Sequence, residues 1–224
     1  MRIRWFGQSA FLLAGEKSVF IDPFGDMGVM ASRGLEFDYP AIEGVSADLV
    51  LVTHEHADHR GVEVVSGSPV VLRSTAGTLD SPVGDVVAVA SEHDGAAGTQ
   101  RGPNTIFCFT LGGLRVAHLG DFGQEALRPE QREAIGAIDV LFIPVGGGPT
   151  IGGAGAAELA RSLKPRLVIP MHYRTAAVNF LDPPDEFLEA LGRPVERLDS
   201  SEANAEELLG TKEEPAVALF ATPA

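Results

Sequence analysis

The first half of the chain carries short apolar runs that are separated by glycine and other turn residues. Such runs at 2–6, 11–14 and 18–21 are typical of strands joined by tight turns. A continuous apolar run at 48–53 predicts a strand that is buried on both faces. The pattern predicts further strands at 70–72, 86–90, 105–111 and 114–119.

Strands and helices alternate in the second half. Helical spacing of apolar residues predicts helices at 124–135, 155–163 and 184–191, and Pro129 is expected to delay or kink the start of the first. Strands are predicted between and after them at 140–145 and 167–170, with edge strands at 197–198 and 217–221.

Two longer segments show no clean periodicity. Segment 22–47 is rich in Gly, Asp and Pro and is predicted to be a long loop, and long loops in compact domains are often functional. Segment 202–214 is acidic and is predicted to be a solvated face or loop. A strand-rich half followed by alternating strands and helices favours an α+β fold. We expect two sheets packed face to face with helices outside, in a single domain over 1–224.

Composition narrows the classes of function. The 224 residues include 17 Lys+Arg and 31 Asp+Glu, which gives a formal net charge of −14 at pH 7. This charge repels phosphate backbones and anionic lipid surfaces, so we expect no nucleic-acid or membrane partner. Cys108 is alone, which excludes an internal disulfide, and the N-terminal residues are typical of a strand rather than a signal peptide. We therefore expect a cytoplasmic protein.

Three of the six histidines fall in the segment THEHADH, residues 53–59, directly after a predicted buried strand. Imidazole and carboxylate groups are ligands for zinc and similar divalent ions. His54 and His56 are two residues apart, so in extended backbone they point the same way and can reach one ion. Asp58 and His59 lie further along the turn and can reach a second ion. A metal would offset the cost of placing these polar groups beside a core strand.

Candidate ligands also follow other predicted strands. His93, Asp121 and His172 each come directly after an apolar run, so four strand ends carry a residue of metal-binding type. His118 is an odd number of positions from Asp121 and is expected on the opposite face of its strand, as a packing or hydrogen-bonding residue. The sequence therefore predicts a metal site that is built from strand ends.

The order of these residues resembles the metallo-β-lactamase superfamily. The matching features are HxHxDH at 54–59, the lone His93, the GD pair at 120–121 and the late His172. Within the superfamily, the chain is similar to the prokaryotic metal-dependent hydrolases that include ascorbate-6-phosphate lactonase. The segments that carry this closer similarity are HLGD at 118–121, IPVGGGPT at 143–150 and KPRLVIPMHY at 164–173.

The resemblance implies an αββα sandwich with two divalent metal ions. Zinc is the favoured ion, and manganese and iron are the alternatives. Gln8 and Gln124 stand where such proteins often carry histidine, and their roles stay open. On the matching positions, the first metal would be held by His54, His56 and His93, the second by Asp58, His59 and His172, and Asp121 would bridge the two.

This ligand set predicts hydrolysis of a small ester, lactone, amide or phosphodiester. A metal-bound hydroxide would attack the carbonyl or phosphoryl centre, because coordination lowers the pKa of water from about 16 to about 7. Asp58 is the candidate general base, and Tyr173 is the candidate donor to the developing oxyanion. Asp22 is expected to accept a hydrogen bond from a ligand imidazole.

Several alternatives stay open. The same ligands suit an iron-dependent redox enzyme, and a non-catalytic metal-binding protein is a further alternative. The glycine-rich segment 146–155 is predicted to be either a flexible rim or an anion site, and Arg33, Arg101 and Arg174 are candidate contacts for an anionic substrate. The sequence identifies neither the substrate nor the oligomeric state, so a homo-oligomer also stays open.

Overall fold

Strands dominate the computed structural model, which describes residues 1–210 and 216–224. The strands are, in chain order, β1 (Arg2–Gly7), β2 (Ala10–Ala14), β3 (Ser18–Ile21), β4 (Val45–Ser46), β5 (Leu49–Val52), β6 (Val65–Ser66), β7 (Val70–Arg73), β8 (Gly77–Leu79), β9 (Val86–Glu92), β10 (Pro103–Leu111), β11 (Leu114–His118), β12 (Val140–Pro144), β13 (Leu167–Met171), β14 (Val195–Arg197), β15 (Glu202–Asn204) and β16 (Ala216–Leu219). The helices are α1 (Gly28–Ala31), α2 (Pro129–Ile135), α3 (Gly153–Leu163), α4 (Asp185–Leu191) and α5 (Ala205–Leu209), with a single 3-10 turn at Val62–Val64.

Two large sheets form the framework, which confirms the predicted α+β sandwich. One sheet has six strands in the order β15-β1-β2-β3-β5-β7, and the other has eight in the order β14-β16-β13-β12-β11-β10-β9-β8. Both sheets are mixed, because antiparallel neighbours on one side give way to parallel neighbours on the other. Helices α2 and α3 pack on the eight-stranded sheet, against β9 and β12.

The core lies between the sheets and follows the alternation of side chains along each strand. Trp5 and Phe6 are neighbours in β1 and therefore point to opposite faces. Trp5 faces the second sheet, where the rings of Phe11 in β2 and Phe142 in β12 lie 4.6 Å apart between centroids. Phe6 packs on Phe20 on the other face, at 5.1 Å, in a smaller cluster closed over by residues from the 24–45 segment.

The strand directions bring the candidate ligands to one region. Strands β3 and β5 run parallel, so their carboxyl ends lie side by side, followed by Asp22 and His54. In the second sheet, β9, β11 and β13 share one direction, because β10 is antiparallel to both β9 and β11, and β11, β12 and β13 are parallel. Their carboxyl ends therefore meet at one edge, followed by His93, Asp121 and His172.

Several predicted elements have different bounds. Helix α2 begins only at Pro129, because proline fits the first helical position and not the interior. Helix α3 begins at Gly153, two residues earlier than predicted. The prediction of an edge strand at 217–221 is wrong, because β16 is paired with β13 on one side and β14 on the other.

The two segments that were predicted to lack regular structure contain some. Segment 22–47 includes α1 and β4. In segment 202–214, β15 and α5 occupy 202–209, and α5 buries Ala205, Leu208 and Leu209 while its glutamates face outward. Residues 211–214 of that segment lie outside the described residues. Within the described parts of the chain, no helix is both long and apolar enough to cross a bilayer.

Candidate metal centre

The site begins where β3 and β5 end side by side. Asp22 directly follows β3, and its carboxylate accepts hydrogen bonds from the backbone N–H and the hydroxyl of Thr53, both at 2.8 Å. It also accepts a hydrogen bond from Nδ1 of His59 at 2.9 Å. Asp22 has a φ of 49°, a left-handed conformation that Asp tolerates better than most residues. Asp22 therefore ties two strand ends to a candidate ligand, as predicted for it.

Seven side chains from four strand ends lie together beside this contact: His54, His56, Asp58, His59, His93, Asp121 and His172. They form three overlapping sets, and within each set one ligand atom per residue lies within 4.8 Å of the others. The sets are His54–His56–His93, His54–His59–Asp121 and Asp58–His59–His172. The fold thus brings together the whole predicted ligand set, which is called the metal centre below.

Asp121 lies at the middle of the metal centre and is buried. Its Oδ2 atom is 3.1 Å from Nε2 of His93 and 3.2 Å from Nε2 of His172. Its Oδ1 atom is 3.4 Å from Nε2 of His59, and Oδ2 is 3.8 Å from Nε2 of His54. One carboxylate therefore contacts imidazoles that come from three different strand ends.

Groups outside the metal centre orient its imidazoles. Nδ1 of His93 donates to the backbone carbonyl of Pro149 at 2.9 Å, which leaves Nε2 facing Asp121. The backbone N–H of Asp121 donates to Oδ1 of Asn104 at 3.0 Å. Such outer hydrogen bonds fix the tautomer and the direction of a ligand imidazole. The predictions from sequence did not include Pro149 and Asn104, because a backbone carbonyl and a lone amide carry no recognisable motif.

Burial and charge act on these groups in opposite directions. Burial and the neighbouring imidazoles hold the pKa of His54 well below its ordinary value, and burial also lowers the pKa of His172. Burial lowers the pKa of His59 too, but the carboxylates of Asp121, Asp58 and Asp22 outweigh it and hold that pKa well above 6.5. Burial raises the pKa of Asp121, yet His172 and His59 keep it well below the usual range. The Asp121 carboxylate is therefore ionised.

The residues present fit a divalent cation. Nε2 of His59 and Oδ1 of Asp121 are buried and have no hydrogen-bond partner among the described residues. Buried polar atoms nearly always have a partner, so these two atoms, which lie 3.4 Å apart, need an explanation. In its neutral form the imidazole offers a lone pair, and the carboxylate offers several. Coordination to a metal ion would satisfy both atoms.

His118 and Tyr173 lie outside the cluster. His118 is fully buried, its Nε2 donates to the carbonyl of Ser9 at 3.0 Å, and its ring packs near Phe142, as strand parity predicts. Tyr173 is buried with its ring 5.7 Å from that of Trp5, and it does not line the cavity described below. Tyr173 thus occupies a packing position beside Trp5, and the oxyanion role stays a prediction.

Gln8 and Gln124, which stand where similar proteins often carry histidine, differ in their hydrogen bonding. Gln124 is structural: its Oε1 accepts the backbone N–H of Glu92 at 3.1 Å, and its Nε2 donates to Gln131 at 3.1 Å. Gln8 is completely buried in a left-handed conformation, and neither of its side-chain polar atoms has a partner among the described residues. Neither glutamine belongs to the metal centre.

A cavity of 760 Å³ opens over the metal centre and includes His56, Asp58, His93, Asp121 and His172 in its lining. Two of the three arginines proposed from sequence, Arg33 and Arg101, also line it. Arg174 does not, because its Nε donates to the carbonyl of Leu181 at 2.6 Å. Arg60 lines the cavity as well and was missed, although it stands directly after His59 in the sequence.

Comparisons with known proteins show which family the chain is similar to. The family model of the beta-lactamase superfamily domain matches residues 2–172. A UPF0173 metal-dependent hydrolase from Thermococcus kodakarensis is 33% identical over 222 residues, covering 88% of this chain and 94% of that protein. One from Archaeoglobus fulgidus is 31% identical over 231 residues, with the same coverage.

A solved structure extends the agreement to the fold. The crystal structure of a candidate Zn-dependent hydrolase of the metallo-β-lactamase superfamily from Thermotoga maritima is 33% identical, with a TM-score of 0.76. It covers 98% of this chain, and this chain covers 97% of it. The chain therefore belongs to the metallo-β-lactamase superfamily and, within it, to the UPF0173 metal-dependent hydrolases.

Proposed function

We propose that this metal-dependent hydrolase holds two divalent cations, zinc ahead of manganese or iron. The assignment gives one ion to His54, His56 and His93 and the other to Asp58, His59 and His172, with Asp121 between them. The observation that carries the proposal is the position of Asp121. Its Oδ2 atom lies 3.1 Å from Nε2 of His93 in the first group and 3.2 Å from Nε2 of His172 in the second, and its Oδ1 atom lies 3.4 Å from Nε2 of His59.

The chemistry of the reaction follows from the donor set. Two divalent cations held by these residues would supply an activated solvent nucleophile at neutral pH and a Lewis acid that polarises the scissile bond. Nitrogen and carboxylate donors without thiolate suit zinc, manganese and iron. The outer hydrogen bonds from His59 to Asp22 and from His93 to Pro149 hold these imidazoles in the tautomer that presents Nε2.

Asp58 acts at the boundary between the metal centre and the cavity. It lines the cavity, and its side chain keeps 17% of its surface exposed. Burial raises the pKa of Asp58, but His59 outweighs it, so the net shift is downward and the carboxylate is ionised at neutral pH. An ionised carboxylate in this position accepts a hydrogen bond from the attacking solvent molecule and orients it toward the substrate.

The substrate proposed is a small ester, lactone, amide or phosphodiester. The cavity volume of 760 Å³ lies in the range of small-molecule sites. The similarity of 118–121, 143–150 and 164–173 to the group that includes ascorbate-6-phosphate lactonase favours lactones as the first class to assay.

Elemental analysis together with a hydrolysis panel tests the proposal. Wild-type protein, Asp121→Asn and Asp48→Asn are dialysed, analysed for metals and assayed on lactones, esters, amides and phosphodiesters. Asp48 is the matched control, because it is a carboxylate at the opposite end of the β3–β5 pair. We expect wild type and Asp48→Asn to hold about two ions per chain and to hydrolyse a substrate. We expect Asp121→Asn to lose turnover and to lose at least one of the two ions.

Three outcomes would contradict the proposal in different ways. Full metal content and turnover in Asp121→Asn would refute the assignment of Asp121. Two irons per chain with oxygen consumption and no hydrolysis would favour a redox enzyme. Two ions per chain with no turnover on any substrate class would favour a non-catalytic metal-binding protein.

A further inference from the structure

The cavity over the metal centre holds cationic side chains that the metal centre does not use. Its acidic lining consists of Glu55, Asp58 and Asp121. Glu55 pairs with Arg73 at 3.1 Å, outside the cavity lining, and the other two belong to the metal centre. Each carboxylate of the lining therefore has a partner or a proposed role, and none of them is assigned to pair with a cationic side chain of the cavity.

The basic lining consists of Arg33, Arg60 and Arg101. Across residues 1–210 and 216–224, none of the three guanidinium groups forms an ion pair or a hydrogen bond. Arg4, Arg73, Arg128 and Arg166 each pair with a carboxylate, and none of these four lines the cavity. In a chain with a net charge of −14, three unpaired arginines around one cavity are a local reversal of charge.

Arg101 lies in a loop that is ordered by several hydrogen bonds. Asp94, the residue after His93, is buried and its carboxylate accepts four backbone hydrogen bonds. The donors are the N–H groups of Ala96 at 2.8 Å, Gly98 at 2.9 Å, Gln100 at 3.1 Å and Arg101 at 2.7 Å. The loop is therefore folded around Asp94, which fixes the backbone of Arg101 relative to His93.

Arg60 is anchored equally well. It follows His59, whose backbone N–H donates to the carbonyl of His56 at 3.1 Å. The next residue, Gly61, donates to the carbonyl of Pro23 at 2.7 Å, and a Cβ at Gly61 would collide with the backbone of Gly25. Arg60 thus leaves a tightly packed turn, and its side chain extends into the cavity lining.

The rest of the lining is mainly apolar, with Met27, Val29, Met30, Leu35 and Phe180 as its large members. Several of these residues lie in or beside α1, and Val29 is 46% exposed, unusual for a large apolar side chain in this chain. A substrate that fills the cavity therefore meets both apolar surface and guanidinium groups. Guanidinium groups bind carboxylate and phosphate oxygens through paired N–H donors.

We propose that Arg60 and Arg101, with Arg33, bind an anionic group of the substrate, a carboxylate or a phosphate that is separate from the scissile bond. The preferred substrate is then a small molecule that carries an oxyanion and an apolar portion. This inference rests on the proposed hydrolase function, since it assigns the specificity of the same cavity.

A matched pair of esters tests the inference. The p-nitrophenyl ester of butyric acid is neutral, and the mono-p-nitrophenyl ester of glutaric acid adds one carboxylate at similar length. Metal-loaded wild type, Arg101→Gln, Arg60→Gln and the control Arg2→Gln are compared by the ratio of kcat/KM for the two esters. Arg2 is exposed and does not line the cavity, so its variant matches the charge change alone. We expect wild type to prefer the acidic ester, and each cavity variant to lower that preference about tenfold.

Binding without turnover separates the two proposals. Calorimetric titration of the metal-loaded proteins with glutarate, and separately with glycerol 3-phosphate, shows which oxyanion binds more tightly and whether Arg60 and Arg101 are needed. Weaker anion binding in the cavity variants and not in Arg2→Gln supports the anion site, even when neither ester is hydrolysed. The absence of hydrolysis would then count against the hydrolase function and not against the anion site. Equal affinity for both anions across wild type, Arg60→Gln and Arg101→Gln would overturn the anion site even when hydrolysis is observed.

Discussion

Replacing Asp22 by Asn tests whether a residue outside the metal centre controls metal affinity. Asp22 accepts three hydrogen bonds, from the backbone N–H of Thr53, the hydroxyl of Thr53 and Nδ1 of His59. Asn has nearly the same shape and tolerates the left-handed φ of 49° at this position, so the backbone conformation is retained. Its amide has one oxygen and one NH2 group in place of two acceptor oxygens.

The magnitude follows from the bonds that survive. The Asn oxygen keeps the bond from the N–H of Thr53, and the hydroxyl of Thr53 can rotate to accept from the new NH2 group. The hydrogen bond from His59 is lost, because NH2 then faces the Nδ1–H group. The imidazole favours the tautomer with its proton on Nε2, the atom that faces Asp121 at 3.4 Å. Loss of such an outer contact costs about 10- to 100-fold in metal affinity, or about 1.4 to 2.7 kcal/mol.

The assay is competition for zinc against a chromophoric chelator, with urea unfolding of the metal-free protein alongside. Asp48→Asn is the control, since Asp48 accepts the N–H and hydroxyl of Ser18, both at 2.9 Å, at the other end of the same strand pair. We expect Asp22→Asn to bind one ion more weakly and Asp48→Asn to bind as wild type does. Wild-type affinity in Asp22→Asn, or an equal loss in both variants, would refute the reasoning.

Three further changes probe the surroundings of the metal centre. A Cβ at Gly146 would collide with the carbonyl of His172, so Gly146→Ala should lower the unfolding free energy by about 1 to 3 kcal/mol and weaken metal binding. Gly152→Ala is the control, because there is open space around its Cβ, and it should retain metal affinity in the zinc competition assay. Burial lowers the pKa of His118 to about 4, so between pH 6.5 and pH 4 the unfolded chain binds a proton that the folded chain does not, and stability falls as the pH drops through that window. Urea unfolding of metal-free protein at several pH values checks this. In His118→Gln the unfolding free energy should fall less steeply with pH than in wild type, by up to about 1.4 kcal/mol per pH unit, and an unchanged slope would contradict the lowered pKa of His118. Tyr173→Phe should keep kcat within about twofold, because Tyr173 packs on Trp5. A loss of the size seen for oxyanion donors, about 100-fold or more, would instead support the oxyanion role predicted from sequence.

The clustering of the seven candidate ligands was predictable because its signals are local. His54 and His56 follow a run of apolar residues, and two-residue spacing in extended backbone fixes their common direction. The same parity argument separated His118 from Asp121, and the structure places His118 in the core with its Nε2 on Ser9. Strand ends are legible in sequence, since an apolar run stops and polar residues begin. The recurrence of this pattern at His93 and His172 pointed to one shared site.

Features that depend on neighbours distant in sequence were not predictable. Arg60 directly follows His59, and Arg174 lies two residues after His172. Only Arg60 lines the cavity, because Arg174 bonds to the carbonyl of Leu181. The position of β16 between two strands depends on pairing partners that no local pattern specifies. Helix α5 was missed for a different reason: its apolar residues have helical spacing, but its acidic residues dominate the composition of the segment.

The same physics links the fold to the chemistry. Gathering Asp121 and four imidazoles in a buried cluster is unfavourable for the chain alone, because burial opposes every charge and His54, His93 and His59 repel one another when protonated. Hydrogen bonding does not resolve this conflict, since Nε2 of His59 and Oδ1 of Asp121 keep no partner among the described residues. A divalent cation would resolve this conflict, because it would replace the protons, satisfy both atoms and balance the carboxylates. The unfavourable burial of these groups would thus favour metal binding, and we expect the unpaired arginines nearby to contact the substrate.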